Sequence, residues 1–468
     1  MNSATLKALS PLDGRYQKYG AALAPHFSEE ALMYHRVTVM VAWLRFLAND
    51  QRFPVRSLTA HEMESLDDLV RQFKMGKGAI SIKAIETTGW RGHPRTNHDV
   101  KACEIYIRQH LLDIGAADLV EWVHFGRTSE DVNNVAYGLM LAGALSEVVL
   151  PSLERIRSVL EVYAQRYAAL PMLSRTHGQP ATPTTLGKEF LVFERRLARQ
   201  MADLRSQPIL IKMNGASGNY AADYVVFPGI DWQDVSLAFC AQVASSAAWR
   251  FETNLITTQI EPHDTYAELF APIMRANTIL IDMCQDLWRY ISDDWIVQRM
   301  EKDETGSSTM PHKVNPINFE NGEGNLGLAN ALFEFFSRKL PISRLQRDLS
   351  DSTVERNFGV AFGYALVAYE NIVTGLSKIM AHEQLMRTVL RNHPEVITEA
   401  YQMILRSVGY PDPYGVLKRV SRGAKMTLED LHAFVHSLDS TLVSDEVKAR
   451  MLAITPENYV GIAQQLVR

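Results

Sequence analysis

At 468 residues the chain exceeds what a single hydrophobic core usually serves, so two or three domains are expected. Hydrophobic residues make up 47% and charged residues 22%, a balance that excludes a disordered chain. The formal net charge is -5, with no basic excess of the kind a nucleic-acid binder carries, so an anionic ligand has to be held by locally placed Arg and Lys.

Helical periodicity dominates, and the expected fold class is all-α. A first, more polar helical region is expected over residues 1–117, ending near Ala116-Ala117-Asp118. Long helices then fill 118–376. Leu153, Ile156, Leu160, Tyr163 and Tyr167 line one helix face, as do Phe190, Phe193, Leu197, Met201 and Leu204. Ile279, Met283, Leu287 and Tyr290 form a third stripe. The segment Phe358 to Ile379 is apolar almost all round, with Gly359, Ala361, Gly363, Ala365 and Ala368 interspersed. A helix without a polar face has to be buried on every side. Together with Val135–Leu150, it favours a central long-helix bundle completed by oligomerisation. Shorter, more charged helices are expected over 377–468, with a turn signal at Gly409-Tyr410-Pro411-Asp412-Pro413.

Cys103, Cys240 and Cys284 are odd in number and far apart, which suits a reducing cytoplasm better than a disulfide framework. The first residues lack the apolar run of a leader peptide. No stretch reaches the roughly 18 uninterrupted apolar residues of a bilayer span, so no membrane partner is expected.

Five segments gather more polar chemistry than a core needs. Thr96-Asn97-His98-Asp99-Val100 is the first. In His124–Asp131, Thr128 and Ser129 precede a helix, where hydroxyls cap exposed N–H groups or help those groups hold a carboxylate. In Ser174–Pro183, His177 lies at a break before the Phe190 helix. It is either a hydrogen-bonded loop histidine or a proton donor facing a cleft. Gly306-Ser-Ser-Thr-Met-Pro-His-Lys-Val-Asn-Pro316 places two hydroxyls after a glycine, then His312, Lys313 and Asn315. It is a polar turn, or a closing loop that removes a proton beside a carboxylate and holds the charge that appears. In Arg347–Arg356, Ser352 and Arg356 share a face if helical, and with Arg347 form either a phosphate fork or a solvated charged surface.

Two patterns carry no chemistry. Gly322-Glu-Gly-Asn-Leu-Gly327 matches a dinucleotide-binding expression, but no strand precedes it. There is no HExxH, and the cysteines are not near histidines, so neither a metal nor another cofactor is called for.

Taken together, these segments resemble the fumarase/aspartase superfamily, whose members eliminate fumarate from a succinyl-bearing substrate. Its signature loop G-S-S-x-M-P-x-K-x-N-P stands at Gly306–Pro316. His312, the Thr96–Val100 segment, Thr128-Ser129, Arg175–Pro180, Ser10–Tyr16 and Gln259 are similar to the branch acting on succinylated purine nucleotides. The resemblance runs from about residue 10 into the mid-400s. It implies three helical domains and a homotetramer whose active sites combine segments of different subunits. It also implies that Ser307 is the catalytic base and that His177 protonates the departing nitrogen from the other side. Lys313 and Asn315 would hold the deprotonated carboxylate intermediate. His98 would orient the substrate and support His177, Asn97 and Asp99 would also bind substrate, and Thr128, Ser129 and Gln259 would bind its succinyl arm. Arg15, Tyr16, Arg347, Ser352 and Arg356 would clamp the nucleotide. Relatives acting on argininosuccinate, malate or aspartate are the nearest rivals, and the clamp residues and His312 argue against them. One departure stands out: Glu86–Arg95, with Trp90, Gly92, His93 and Pro94, is longer than the family pattern just before His98.

Overall fold

The computed structural model describes residues 3–299, 310, 313–421 and 426–467. Helices dominate, and the described strands form only three two-stranded sheets, in agreement with the all-α expectation. The long helices are Glu29–Asn49, Ser129–Ala144 continuing through a π turn into Leu150–Arg166, Leu186–Ser206, Asp264–Ser292, Ile317–Lys339 and Phe358–Lys378. Among the described helices only Ser129–Arg166 is long and apolar enough to cross a membrane, and 72% of its apolar window is buried inside the protein. That is the profile of a core helix.

The chain divides into two compact units. The first combines Met1–Leu153, Gln200–Thr278 and Gly324–Glu370. Its centre is an aromatic cluster: Phe270 lies 5.2 Å from Phe333 and 5.4 Å from Phe358, and Phe333 lies 5.0 Å from Phe362. Large rings in tilted and edge contact bury much apolar area and fix helix spacing. The small residues of the Phe358 helix serve the same close packing. A Cβ on Gly359 would stand 2.7 Å from Phe27 Cβ, and one on Gly363 would stand 2.8 Å from Leu12 Cδ1. This chain therefore already covers much of a helix whose apolar circumference had suggested neighbouring subunits. The parallel pair Ile209–Ile211 and Phe251–Thr253 lies against Gly138, where a Cβ would meet Phe251 at 3.0 Å.

The second unit combines Glu154–Arg199, Ile279–Glu323 and Asn371–Arg468. Tyr163 packs 5.2 Å from Phe190, and its hydroxyl donates to Leu376 O at 2.5 Å. The buried Glu194 accepts from Arg157 at 2.6 Å. The sequence stripes are buried as expected except for Tyr290, which is half-buried. Gly322–Gly327 sits inside the Ile317–Lys339 helix. This is not the turn between strand and helix that a dinucleotide site needs.

Candidate active site

In the first unit, the candidate site is built around the start of the Ser129 helix. Thr128 is its N-cap in extended conformation, and the Asp131 carboxylate accepts the Thr128 N–H at 2.9 Å. The capping reading is thus realised, and Ser129 stands beside it as the first helical residue. Asp131 does more than cap. It pairs with the fully buried Lys212 at 3.0 Å and accepts the N–H groups of Asn214 and Gly215 at 3.1 and 3.2 Å. Burial alone would raise Asp131, but the Lys212 and Arg127 charges outweigh it and hold its pKa below the usual range. The loop after Lys212 is in this way fastened to the helix start. Its Gly218 has φ +71°, and a Cβ there would lie 2.2 Å from Thr257 O, so only glycine fits.

Gln259 bridges that loop to Arg347. Its amide donates to Ala216 O at 3.0 Å, and its oxygen accepts from Arg347 at 3.2 Å. Ala216, Ser217, Gln259 and Arg347 line an open groove of about 420 Å³. Arg347 also donates to Ser352 Oγ at 3.1 Å and pairs with Glu130 at 2.7 Å, while its Nε has no partner among the described residues. Three predicted residues, Gln259, Arg347 and Ser352, are therefore brought together. Ser352 does lie in a helix, Ser350–Glu355, which Arg356 ends.

Arg356 pairs instead with Asp99, at 2.5 Å, and Arg36 reaches the same Asp99 oxygen at 2.8 Å. Burial opposes ionisation of Asp99, but the two guanidinium groups hold its pKa well below the usual carboxylate range. His98 caps the Asp99–Asp113 helix, with Nδ1 accepting Lys101 N–H at 3.3 Å, and Asn97 precedes it with φ +51°. Asn97 and His98 are exposed.

The residues before them form a tight two-residue turn. Trp90 and His93 exchange backbone hydrogen bonds at 3.0 and 2.9 Å across Arg91 and Gly92, both at positive φ. That geometry matches a type I′ hairpin turn. It rests on the helix that follows His98: Trp90 lies 6.1 Å from Tyr106, His93 meets Gln109 at 3.2 Å, and Arg91 pairs with Asp113. The turn therefore braces the His98 segment. Arg15 is exposed and Tyr16 half-buried, just before the short Gln17–Gly20 helix.

In the second unit, His177 occupies a place the helical reading did not foresee. Pro171–Thr176 and Gln179–Thr185 form an antiparallel hairpin, and His177-Gly178 is its two-residue turn. Both residues have positive φ, +54° and +76°, and His177 is exposed at the tip. The break before the Phe190 helix is thus a β-turn, whose signal was the His-Gly pair, where glycine readily takes left-handed backbone. Lys313 is exposed, and Asn315 is half-buried. Ser307 and His312 lie outside the described residues.

Glu130, Asn133, Arg36 and Lys212 escaped the sequence reading. Glu130 lies within the polar His124–Asp131 segment but was given no role there, and Asn133, Arg36 and Lys212 belong to no motif. The available signal was a charged or amide side chain inside an otherwise buried helix or strand.

Against this geometry stand the comparisons with known proteins. A family model described as Lyase matches residues 14–330, and one described as Adenylosuccinate lyase C-terminal matches 343–460. The chain is 43% identical over 470 residues to adenylosuccinate lyase of Legionella pneumophila strain Corby, covering 100% of this chain and 99% of that one. The chain belongs to the adenylosuccinate lyase family, within the fumarase/aspartase superfamily. It is similarly 43% identical to the Escherichia coli K12 adenylosuccinate lyase, covering 100% and 99% of the two chains. Identity to the Dictyostelium discoideum family member is 44%, covering 98% and 97%. Among solved structures, fumarate lyase from Mesorhizobium sp. BNC1 superposes with a TM-score of 0.71 at 17% identity, covering 95% of this chain and 96% of that one. The 3-carboxy-cis,cis-muconate lactonizing enzyme of Pseudomonas putida gives 0.71 at 20% identity, covering 96% and 97%. At such identities the likeness speaks for the fold alone.

Proposed function

We propose that the chain is a carbon–nitrogen lyase that eliminates fumarate from adenylosuccinate to leave AMP. It acts likewise on succinylaminoimidazole carboxamide ribotide to leave AICAR, both in purine biosynthesis. The observation that carries this reading is that the family likeness runs end to end, through the general lyase part and the C-terminal part alike.

The difficult step is removal of a weakly acidic C–H proton from the succinyl arm. We assign it to Ser307, whose alkoxide needs nearby N–H groups and positive charge to exist. Lys313 and Asn315 stabilise the dianionic intermediate that follows. His177 then delivers a proton to the purine nitrogen as the C–N bond breaks. An exposed imidazole at a turn tip suits a group that meets substrate rather than filling a core. Thr128, Ser129 and Gln259 bind the succinyl carboxylates, and the helix start behind Thr128 favours anions there. Asn97, His98 and Asp99 orient the substrate. Arg15, Tyr16, Arg347, Ser352 and Arg356 hold the nucleotide, whose remote binding positions the reacting carbon. None of these steps calls on a metal or another cofactor.

We further infer a cytoplasmic homotetramer with active sites shared between subunits. The three-part division 1–117, 118–376 and 377–468 belongs to that reading. All three cysteines are free and buried, which suits a reducing compartment. Gly324, Gly327, Leu328, Ala331 and Phe335 lie on one exposed face of the Ile317–Lys339 helix. Leu328 is 53% and Phe335 45% exposed, an apolar stripe that a second copy would cover.

Offering the enzyme adenylosuccinate, argininosuccinate, malate and aspartate separately, while following fumarate, tests the substrate. Adenylosuccinate alone should give rapid turnover. Fumarate from argininosuccinate instead would transfer the chain to that branch.

A further inference from the structure

We infer that Glu130, Asn133 and Arg36 are positioning residues that set the direction of the two arginines of the nucleotide clamp. The inference rests on the reading above, in which Arg347 and Arg356 hold the nucleotide. A continuous hydrogen-bonded path joins them. Arg347 pairs with Glu130 Oε1 at 2.7 Å, and Asn133 donates to that same oxygen at 2.6 Å. Arg36 Nε donates to Asn133 Oδ1 at 2.9 Å, and its other arm donates to Asp99 at 2.8 Å. Asp99 closes the path on Arg356 at 2.5 Å.

The path grades from interior to surface. Side-chain exposure is 2% for Glu130 and 4% for Arg36, rising to 17% for Arg347, 22% for Asp99 and 43% for Arg356. Burying an arginine and a carboxylate costs several kcal/mol per ion unless partners offset it, and apolar side chains of similar volume often serve stability as well. A role in stability alone leaves this arrangement unexplained, whereas a role in aiming the open ends of two guanidinium groups accounts for it. Glu130 and Asn133 are three apart on the helix that begins at Thr128-Ser129, so they share a face. The same path therefore fixes the clamp against the hydroxyls assigned to the succinyl arm. A phosphate fork is useful only when its donors converge, because bidentate geometry supplies much of its selectivity.

Glutamine at 130 keeps both the length and an oxygen able to accept from Arg347 and Asn133. Aspartate keeps the charge but is one methylene too short. The full-length enzyme and its Glu130→Ala, Glu130→Asp, Glu130→Gln, Arg347→Ala and Glu130→Ala/Arg347→Ala variants would be compared. The readouts are KM and kcat for adenylosuccinate, the Kd of AMP by calorimetry, and the melting temperature. Positioning predicts that Glu130→Ala raises both KM and the AMP Kd about 10-fold with kcat within about 3-fold, a coupling typical of contacting residues. Glu130→Asp should resemble Ala, Glu130→Gln should resemble wild type, and the double variant should bind AMP no more weakly than Arg347→Ala. Should Glu130→Ala fail to fold, the Asp and Gln variants carry the same contrast. Rescue by Asp but not Gln would overturn the inference. So would effects of Glu130→Ala that add in full to those of Arg347→Ala, or a loss of kcat with AMP binding unchanged. A folded wild-type protein that neither cleaves adenylosuccinate nor binds AMP would instead overturn the functional reading beneath it.

Discussion

Two carboxyl groups, Glu130 and Asp351, lie 2.7 and 3.9 Å from Arg347, and the buried Glu355 stands near them. Burial raises the pKa of Glu130, and it acts more strongly on Glu355. Burial pushes its pKa far above the ordinary carboxylate range, and the nearby Glu130 and Asp351 charges push the same way, against Arg347 and Arg36. Its closest basic neighbour gives no relief: His263 Nε2 lies 3.8 Å away and is driven down to about 3, by burial first and then by Arg347 and Lys339. A carboxyl with a raised folded pKa binds its proton more tightly in the native state. Its penalty therefore starts as pH rises above the unfolded value near 4.5 and grows until the folded value is passed, at about 1.4 kcal/mol per unit. Glu355→Gln removes that titration while keeping the shape. The variant should match wild type near pH 4 and be more stable than wild type at pH 8. Chemical denaturation at the two pH values checks this, and a variant less stable at pH 8 would show that Glu355 is ionised. At the reacting end, His177→Ala and Ser307→Ala should each lower turnover by at least about 100-fold, the lower range of acid–base effects. Steady-state assays decide it, and near-normal turnover by either variant removes that residue from its assigned role.

How much of this was legible depended on what each residue type advertises. Hydroxyls, histidines and arginines at helix breaks announced themselves, so Thr128, His177, Arg347 and Ser352 could be picked out, whereas Gln259 came only from the family resemblance. Glu130, Asn133 and Arg36 could not. Their meaning lies in partners far along the chain, 97 positions for Arg36 with Asn133 and more for Glu130 with Arg347, which spacing does not encode.

At the scale of elements, the long apolar stripes gave the helices reliably because their period repeats over several turns. The hairpins were harder, since a two-residue turn is a weak signal amid helical periodicity. The Trp90–His93 turn lies just before His98. It is a brace whose Arg91-Gly92 corner needs left-handed backbone, and its strand ends pack on the helix that follows. His177-Gly178 uses the same corner to present an imidazole. Space around Gly178 is open, so φ +76° alone makes glycine the preferred residue there. Gly178→Ala should cost about 1 kcal/mol and lower turnover by moving His177, whereas Gly178→Asn, which tolerates that backbone, should cost less. Melting temperatures and kcat for the pair test this ranking. Equal effects would mean that the turn is not the constraint.

At the scale of the whole molecule, the all-α expectation held because helical periodicity is a property of long stretches. The argument for assembly shifted ground. The Phe358–Lys378 helix, apolar all round, finds much of its cover within the chain, while Leu328 and Phe335 leave apolar surface exposed on the Ile317–Lys339 helix. If sites combine segments of different subunits, mixing inactive His177→Ala and Ser307→Ala proteins under conditions of subunit exchange should restore a measurable fraction of wild-type turnover. Statistical mixing leaves some sites with both native residues. No recovery after exchange is demonstrated by mass would assign each site to a single chain.

The account as a whole stands on one reaction, and the most direct measurement is the product analysis of adenylosuccinate incubated with the purified protein. Chromatography should show AMP and fumarate appearing together in equal amounts as substrate disappears. A folded protein that leaves adenylosuccinate intact, or releases fumarate without AMP, would contradict it.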